Sequence, residues 1–456
     1  MRTGARPRPA PPGPPAARRH PGFPGTNPAM ADGERFDVVV VGGGLAGLSC
    51  AWEAAGAGRA VALFERGEEP GAKNVSGGRL YLGPLAGLLP EDWKDAPLER
   101  PVARETLTLV SGGSAVSIDL RSPKLQDPAT ASHTVLRAKL DRWLGERAAA
   151  AGAMVVPGAR VDGLVRTNGA VTGVKLGEET IEAGLVVLAD GAVSRIALDG
   201  AAPAPPSPAR VALGIKEVVA LDPGKIEDRF GLEPGQGAAR LALGDFTRGV
   251  PGGGFLYTNR DSVSVGVVLR LDALAAAGPQ GPESHAVLDA FRAVPEIARL
   301  LAGGETTEYS AHLVPERSFD DLPPRSAPGL LVAGDAAGLV INHGFTVRGM
   351  DLALASGVLA GRAAAGDPAR APAAYEAALA ESFVLRDLRA ARRSQAFLAR
   401  RRLYDHYPRV ACALFEELFR FGPDGKGPAV KPAWKTLRRG VLNWRGLRDL
   451  WAARKL

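Results

Sequence analysis

A 456-residue chain with 46% hydrophobic residues has room for two or three structural units with sizeable cores. No stretch approaches the roughly 18 apolar residues of a membrane span. The two cysteines, Cys50 and Cys412, exclude a disulfide framework and a cysteine-ligated metal or iron–sulfur site within this sequence, and a reducing cytoplasm is the simplest setting. The net charge of +7 is unevenly spread: from Arg386 onward 18 Lys and Arg face 6 Asp and Glu, while the body is mildly acidic. A basic end suits an anionic surface, whether membrane, acidic protein or nucleic acid, or else plain solvated helix faces.

Residues 1–29 carry nine prolines, five arginines and no acid, and are expected to be a disordered extension. Arg18-Arg19 is followed by no apolar region, which argues against a twin-arginine signal, and Met30 is a possible start. Phe36-Asp37-Val38-Val39-Val40-Val41 then reads as a buried strand running into Gly42-Gly43-Gly44-Leu45-Ala46-Gly47. A helix is expected from Leu45 to about Gly56, and a second strand at Val61–Phe64 ends on Glu65. This is the full context of a dinucleotide fingerprint. Gly42 would make the tight turn, Gly44 would let backbone amides approach a pyrophosphate, and Gly47 would permit close helix–strand packing. The positive end of the helix, at Leu45 and Ala46, would face the phosphates, and Glu65 the ribose hydroxyls.

Further along, Gly71–Leu82 is a glycine-rich loop with a short strand. Leu107–Val110 and Ala115–Leu120 alternate as half-buried strands around a Ser-Gly-Gly turn. Leu136–Ala151 has helical spacing. Val155-Val156, Arg160–Val165 and Val171–Leu176 read as strands, and Gly184–Ala189 as a buried strand ending at Asp190-Gly191. From Arg210 to about Leu313 the alternation suits an antiparallel sheet. Gly329–Ala333 runs into Gly334-Asp335 at an expected strand-to-helix turn, followed by a long helix from about Thr346 to Ala365 and a basic helical tail punctuated by prolines. The expected fold is therefore α/β: a discontinuous Rossmann-like domain (about 34–100, 135–200 and 325–385) with an inserted antiparallel sheet domain (about 101–134 and 201–324) and a helical tail over 386–456. Strand ends of a doubly wound sheet lie at the ligand crevice. Asp190-Gly191 and Asp335 placed there make FAD the better reading than NAD, with Asp335 accepting from ribityl hydroxyls.

Together these motifs resemble the FAD-dependent group of aromatic hydroxylases, geranylgeranyl reductases and electron transfer flavoprotein–quinone oxidoreductases. Longer stretches narrow the likeness to the last family, in its short FixC-like bacterial branch: Pro70–Gly78, Arg137–Leu144, Leu213–Glu217, Gly254–Asn259, Ala302–Glu305, Tyr309–His312 and Pro315-Glu316. The resemblance spans about Phe36 to Arg362. It implies that Gly42, Gly44, Gly47, Glu65 and Arg66 hold the ADP half of FAD. It further implies that Lys73, Asn74, Ser76 and Gly77 lie along the flavin, that Arg137 reaches the phosphate or ribityl region, and that Gly349 and Met350 sit near the pyrimidine edge. Lys73 and Arg137 as surface salt-bridge partners, and Met350 as core, are the plain alternatives.

No nucleophile triad or histidine-rich cluster converges, which fits a cofactor that performs the chemistry itself. No catalytic side chain is assigned; Lys216 and Tyr257 are the candidates for lining the open face of the flavin, and His312 and His343 read as ordinary hydrogen-bonded residues. The resemblance implies an oxidoreductase passing electrons from electron transfer flavoprotein to FAD and on to a membrane quinone. Because two cysteines cannot ligate a four-iron cluster, either a separate ferredoxin-like subunit supplies it, as the FixC-like resemblance implies and as expected here, or electrons leave directly from the flavin. No nucleic acid partner is expected. Phe397, Leu398, Leu403, Trp434, Leu437, Leu442, Trp444, Leu447 and Trp451 among many Arg and Lys suit either an interfacial helix on the inner face of the cell membrane or packing onto the body. Two rivals remain. One is a flavin monooxygenase or geranylgeranyl reductase-like enzyme, weakened because Ala197 stands where hydroxylases place an arginine. The other is a non-enzymatic prenyl-binding scaffold of the GDP-dissociation-inhibitor type.

Overall fold

Val38 to Val41 are at most 5% exposed, because β1 (Arg35–Val41) is covered on both faces, which is why it reads as a continuous apolar run. The computed structural model describes residues 35–72, 78–194, 196, 207–423 and 430–454. β1 pairs in parallel with β2 (Val61–Glu65) on one side and with Glu179–Leu188 on the other. Met154–Pro157 extends the sheet in parallel beyond β2, and Leu330–Val332 extends it in parallel beyond Glu179–Leu188. Strand order therefore reverses direction at β1, the point at which a doubly wound sheet offers a ligand crevice outside its carboxyl ends. Gly163–Thr167 and Ala170–Leu176 form an antiparallel flap on Glu179–Leu188. Arg160–Asp162, expected as strand, precede that flap outside it; the Asp162 carboxylate instead accepts from the Gly177 amide at 2.9 Å.

The second sheet has seven strands in the order Glu305–Pro315, Val211–Ala220, Ser262–Arg270, Gly252–Thr258, Gly237–Gly244, Val102–Ser111, Ser114–Arg121. Its neighbours pair antiparallel except Gly237–Gly244 with Val102–Ser111, which run parallel because the chain leaves for the nucleotide sheet between them. Along Val211–Ala220, Ile215 and Val219 join a core with Val265, Val267, Leu256 and Phe291. Gly214 and Lys216 alternate to the opposite face.

α1 (Leu45–Gly56) packs against the long helix Met350–Ala364 along a seam of small residues. A Cβ at Gly357 would meet the Ala46 carbonyl oxygen at 2.2 Å, and one at Gly361 the Cys50 oxygen at 2.6 Å. The helix begins four residues later than the sequence suggests. Val347–Arg348 pairs with Ile341–Asn342 in a small hairpin, and Gly349 caps the helix. Gly334–Ala337 is likewise a single 3₁₀ turn, its Gly334 amide tied to Ser356 Oγ at 3.0 Å.

In the tail, His406–Phe419, Val430–Gly440 and Trp444–Ala453 are helices. Pro408 and Pro432 do not interrupt them, since each sits in a first turn, where a missing amide costs nothing. Asp449 is 8% exposed and clamps the last helix, accepting from Tyr407 Oη at 2.6 Å and from Arg400 and Arg402 at 2.5 and 2.9 Å. Among the described residues no helix is long and apolar enough to cross a membrane.

Candidate active site

The glycine turn is held by geometry that other residues cannot adopt. Gly42 has φ +106°, and a Cβ there would meet the Ala189 oxygen at 2.4 Å. A Cβ at Gly47 would lie 1.9 Å from the Gly42 oxygen, so Gly47 serves packing and does not line the cavity. The Gly43 amide donates to Glu65 Oε2 at 2.7 Å and the Gly67 amide to Glu65 Oε1 at 2.6 Å, fixing the carboxylate beside the turn with lone pairs still open.

A cavity of about 890 Å³ opens from this turn. Its first end gathers Gly42, Gly44, Leu45, Ala46, Glu65, Arg66, Arg137, Asp190, Gly191, Gly334, Asp335, Gly349 and Met350, drawn from six separated stretches of sequence. Lys216 and Tyr257 line it from the second sheet. Lys73, Asn74, Ser76 and Gly77 lie outside the described residues. Arg137 opens its helix and grips Asp141 with two hydrogen bonds, at 2.8 and 2.9 Å, so it is neither a mobile surface group nor a lone cation. Burial pushes the Asp335 carboxyl up to about 6, against the Arg137 charge. Burial also raises Asp190, whose Oδ1 makes no hydrogen bond within the protein. A buried acceptor and a backbone cradle at one end of a cleft of this size fit a dinucleotide with ribose and ribityl hydroxyls to donate.

Several lining residues escaped the sequence reading. Arg79 enters from the strand after the glycine-rich loop, ion-paired with Glu105 and 4.6 Å from the Tyr81 ring centre. Phe255 stacks on Tyr257 with ring centroids 5.1 Å apart. His312 faces the cavity, and burial beside Arg137, Arg66 and Lys216 pushes it down to about 4, so it is neutral at pH 7. At the far end Glu316, raised by burial, accepts from Asn342 Nδ2 at 3.1 Å, with Arg270 at 3.8 Å. Phe397, Leu398, Leu403, Tyr404 and Ala453 of the tail close that end with apolar surface.

Comparison with known proteins decides the family. Residues 37–115 match the FAD dependent oxidoreductase family model. The chain is 43% identical over 404 residues to the probable electron transfer flavoprotein-quinone oxidoreductase YdiS of Escherichia coli (strain K12), covering 87% of this chain and 92% of YdiS. It belongs to the FixC and electron transfer flavoprotein–quinone oxidoreductase family. Protein FixC of Escherichia coli O157:H7 is 41% identical over 410 residues, covering 89% of this chain and 94% of FixC. Among solved structures, a geranylgeranyl bacteriochlorophyll reductase-like protein from Thermoplasma acidophilum matches with a TM-score of 0.65 at 21% identity, over 91% of this chain and 99% of that one. The myxobacterial halogenase CndH matches with a TM-score of 0.56 at 19% identity, over 90% and 91%. At those identities the structures share the fold alone. As a FixC-family member the chain is an FAD-dependent electron-transfer oxidoreductase, and its relatives do not favour a hydroxylase or a prenyl carrier.

Proposed function

We propose that this subunit receives electrons from an electron transfer flavoprotein and sends them toward a membrane quinone, through a separate ferredoxin-like subunit. The observation that carries the reading is one cavity lined both by the nucleotide cradle and by apolar residues of the tail. The naming of YdiS as a probable electron transfer flavoprotein-quinone oxidoreductase supports the two terminal partners. The ferredoxin-like carrier rests on the supply of thiolates, because Cys50 and Cys412 sit buried on separate helices.

In this reading Gly42, Gly44 and the amide end of α1 bind the pyrophosphate, with Leu45 and Ala46 providing donors. Glu65 accepts from the adenosine ribose, and Arg66 lies beside it. Asp190 and Asp335 accept from hydroxyls along the cofactor, with Gly191 and Gly334 allowing the backbone to pass close. Arg137 supplies positive charge at the phosphate or ribityl region, and Gly349 and Met350 face the ring. FAD supplies two-electron uptake with one-electron release; the side chains named here bind, orient and exclude water.

The tail gives the subunit a surface for lipid. Trp434, Trp444 and Trp451 are 56%, 77% and 60% exposed, and their helices carry Lys431, Lys435, Arg438, Arg439, Arg445 and Arg448. Aromatic rings beside basic groups suit peripheral contact with anionic headgroups on the inner face of the cell membrane. The acceptor side is tested by adding quinone to the reduced protein. Reoxidation only when the ferredoxin-like subunit is present supports the proposal, and equally fast reoxidation without it removes that subunit from the path.

A further inference from the structure

Register places an unusual group over the nucleotide end of the cavity. On the cavity-facing side of the second sheet, Lys216 is flanked in register by Ser310 on one neighbouring strand and by Gly266 on the other. Gly266 has no side chain, and the space is filled by the Phe255 ring, which a Cβ there would meet at 2.5 Å. Lys216 is thus walled by an aromatic ring and a hydroxyl, is 1% exposed, and still lines the cavity. Lysine is a costly choice for such a place, since its charged form strongly resists burial.

The titratable groups around it are of both signs and come from both domains. Glu308 and His312 come from Glu305–Pro315, and Tyr257 from Gly252–Thr258 within the same sheet. Arg137, backed by Asp141 and Asp335, faces it from the nucleotide domain, with Arg66 beyond. Two electrons delivered here with fewer than two protons would add negative charge to a cleft of low dielectric.

We propose that Lys216 is the charge-compensating group of this site, taking one proton from solvent as electrons arrive on bound FAD. The proposal rests on the FAD reading. In the step one N–H bond forms at Nζ and one O–H bond of hydronium breaks; the electrons come from the reduced flavoprotein donor, and the proton returns to solvent when they leave. Burial supports the assignment, since it lowers the Lys216 amine to about 7 with Arg137 assisting and Glu308 opposing. The amine is therefore poised to gain a proton when nearby charge becomes more negative.

The test is a spectroelectrochemical titration of the full FAD-loaded chain from about pH 7.5 to 9, where the slope of midpoint potential against pH counts protons per electron. Wild type should take up one proton more per two electrons than Lys216→Met. Lys216→Arg, whose charge is fixed, should show the same reduced slope as Lys216→Met at a higher potential; should Lys216→Met fail to retain FAD, the arginine variant decides alone. Variants that hold FAD and keep the wild-type slope overturn the proposal. A wild-type chain that binds no FAD, seen directly in its absorbance spectrum, would overturn the FAD reading as well.

Discussion

The Gly43 amide donates to Glu65 Oε2 at 2.7 Å, joining the glycine turn of the first strand to the end of the second. One carboxylate thereby sets both the turn and the acceptor offered to a ribose. Glu65→Gln keeps the shape but must present an NH₂ to one of two amide donors. Losing one charge-assisted bond costs about 1.5–3 kcal/mol, or about tenfold to a hundredfold in FAD affinity. Fluorescence titration of the apo-protein with FAD measures it.

Gly47 tests packing separately from chemistry. Because its Cβ would lie 1.9 Å from the Gly42 oxygen, Gly47→Ala must push α1 away from the sheet. Overpacking of this kind costs about 1–3 kcal/mol. Denaturant unfolding of the apo-protein should show that loss, and the purified variant should carry less flavin per chain.

Asp335 predicts a pH dependence. Its carboxyl is raised from 3.8 to about 6 in the folded chain, so the folded state holds the proton more tightly than the unfolded one. Its contribution is fully present below the unfolded value and is lost as pH rises through about 6. Relative to wild type, apo Asp335→Asn should therefore gain thermal stability on moving from pH 4 to pH 7.5, while its FAD affinity falls. Paired melting curves across that range check the sign; a difference that stays flat with pH contradicts it.

The tail prediction concerns lipid. Trp444→Ala with Trp451→Ala should weaken sedimentation with anionic vesicles about tenfold or more, and raised salt should weaken it further. Neither ring takes part in the Asp449 clamp on the last helix, so folding should be retained. Unchanged vesicle binding after deleting residues 431–456 would rule out the tail as the anchor.

Much of the nucleotide half was legible because its signals are local. Val38 to Val41, the glycine spacing and Glu65 lie within one βαβ unit, and strand-end acids at Asp190 and Asp335 advertise a crevice wherever the strands pair. The residues that were missed reach the cavity by register. His312 comes opposite Gly214, two residues from Lys216, only because Glu305–Pro315 pairs with Val211–Ala220, and Arg79 arrives through a short strand whose partner, Ser132–Val135, lies more than fifty residues on. Apolar residues of the tail were visible, but periodicity cannot say which surface they meet. Leu398 is 8% exposed against the body and Trp444 is 77% exposed. The late start of the long helix was hidden for a related reason: the pairing of Val347–Arg348 with Ile341–Asn342 overrides the helical pattern of the residues that follow.

The central claim is a direction of electron flow, and one anaerobic spectrum tests it most directly. Reduced electron transfer flavoprotein should bleach the flavin absorbance of the purified chain, while NADH alone should leave it oxidised over the same time. Rapid bleaching by NADH without that flavoprotein would contradict the account.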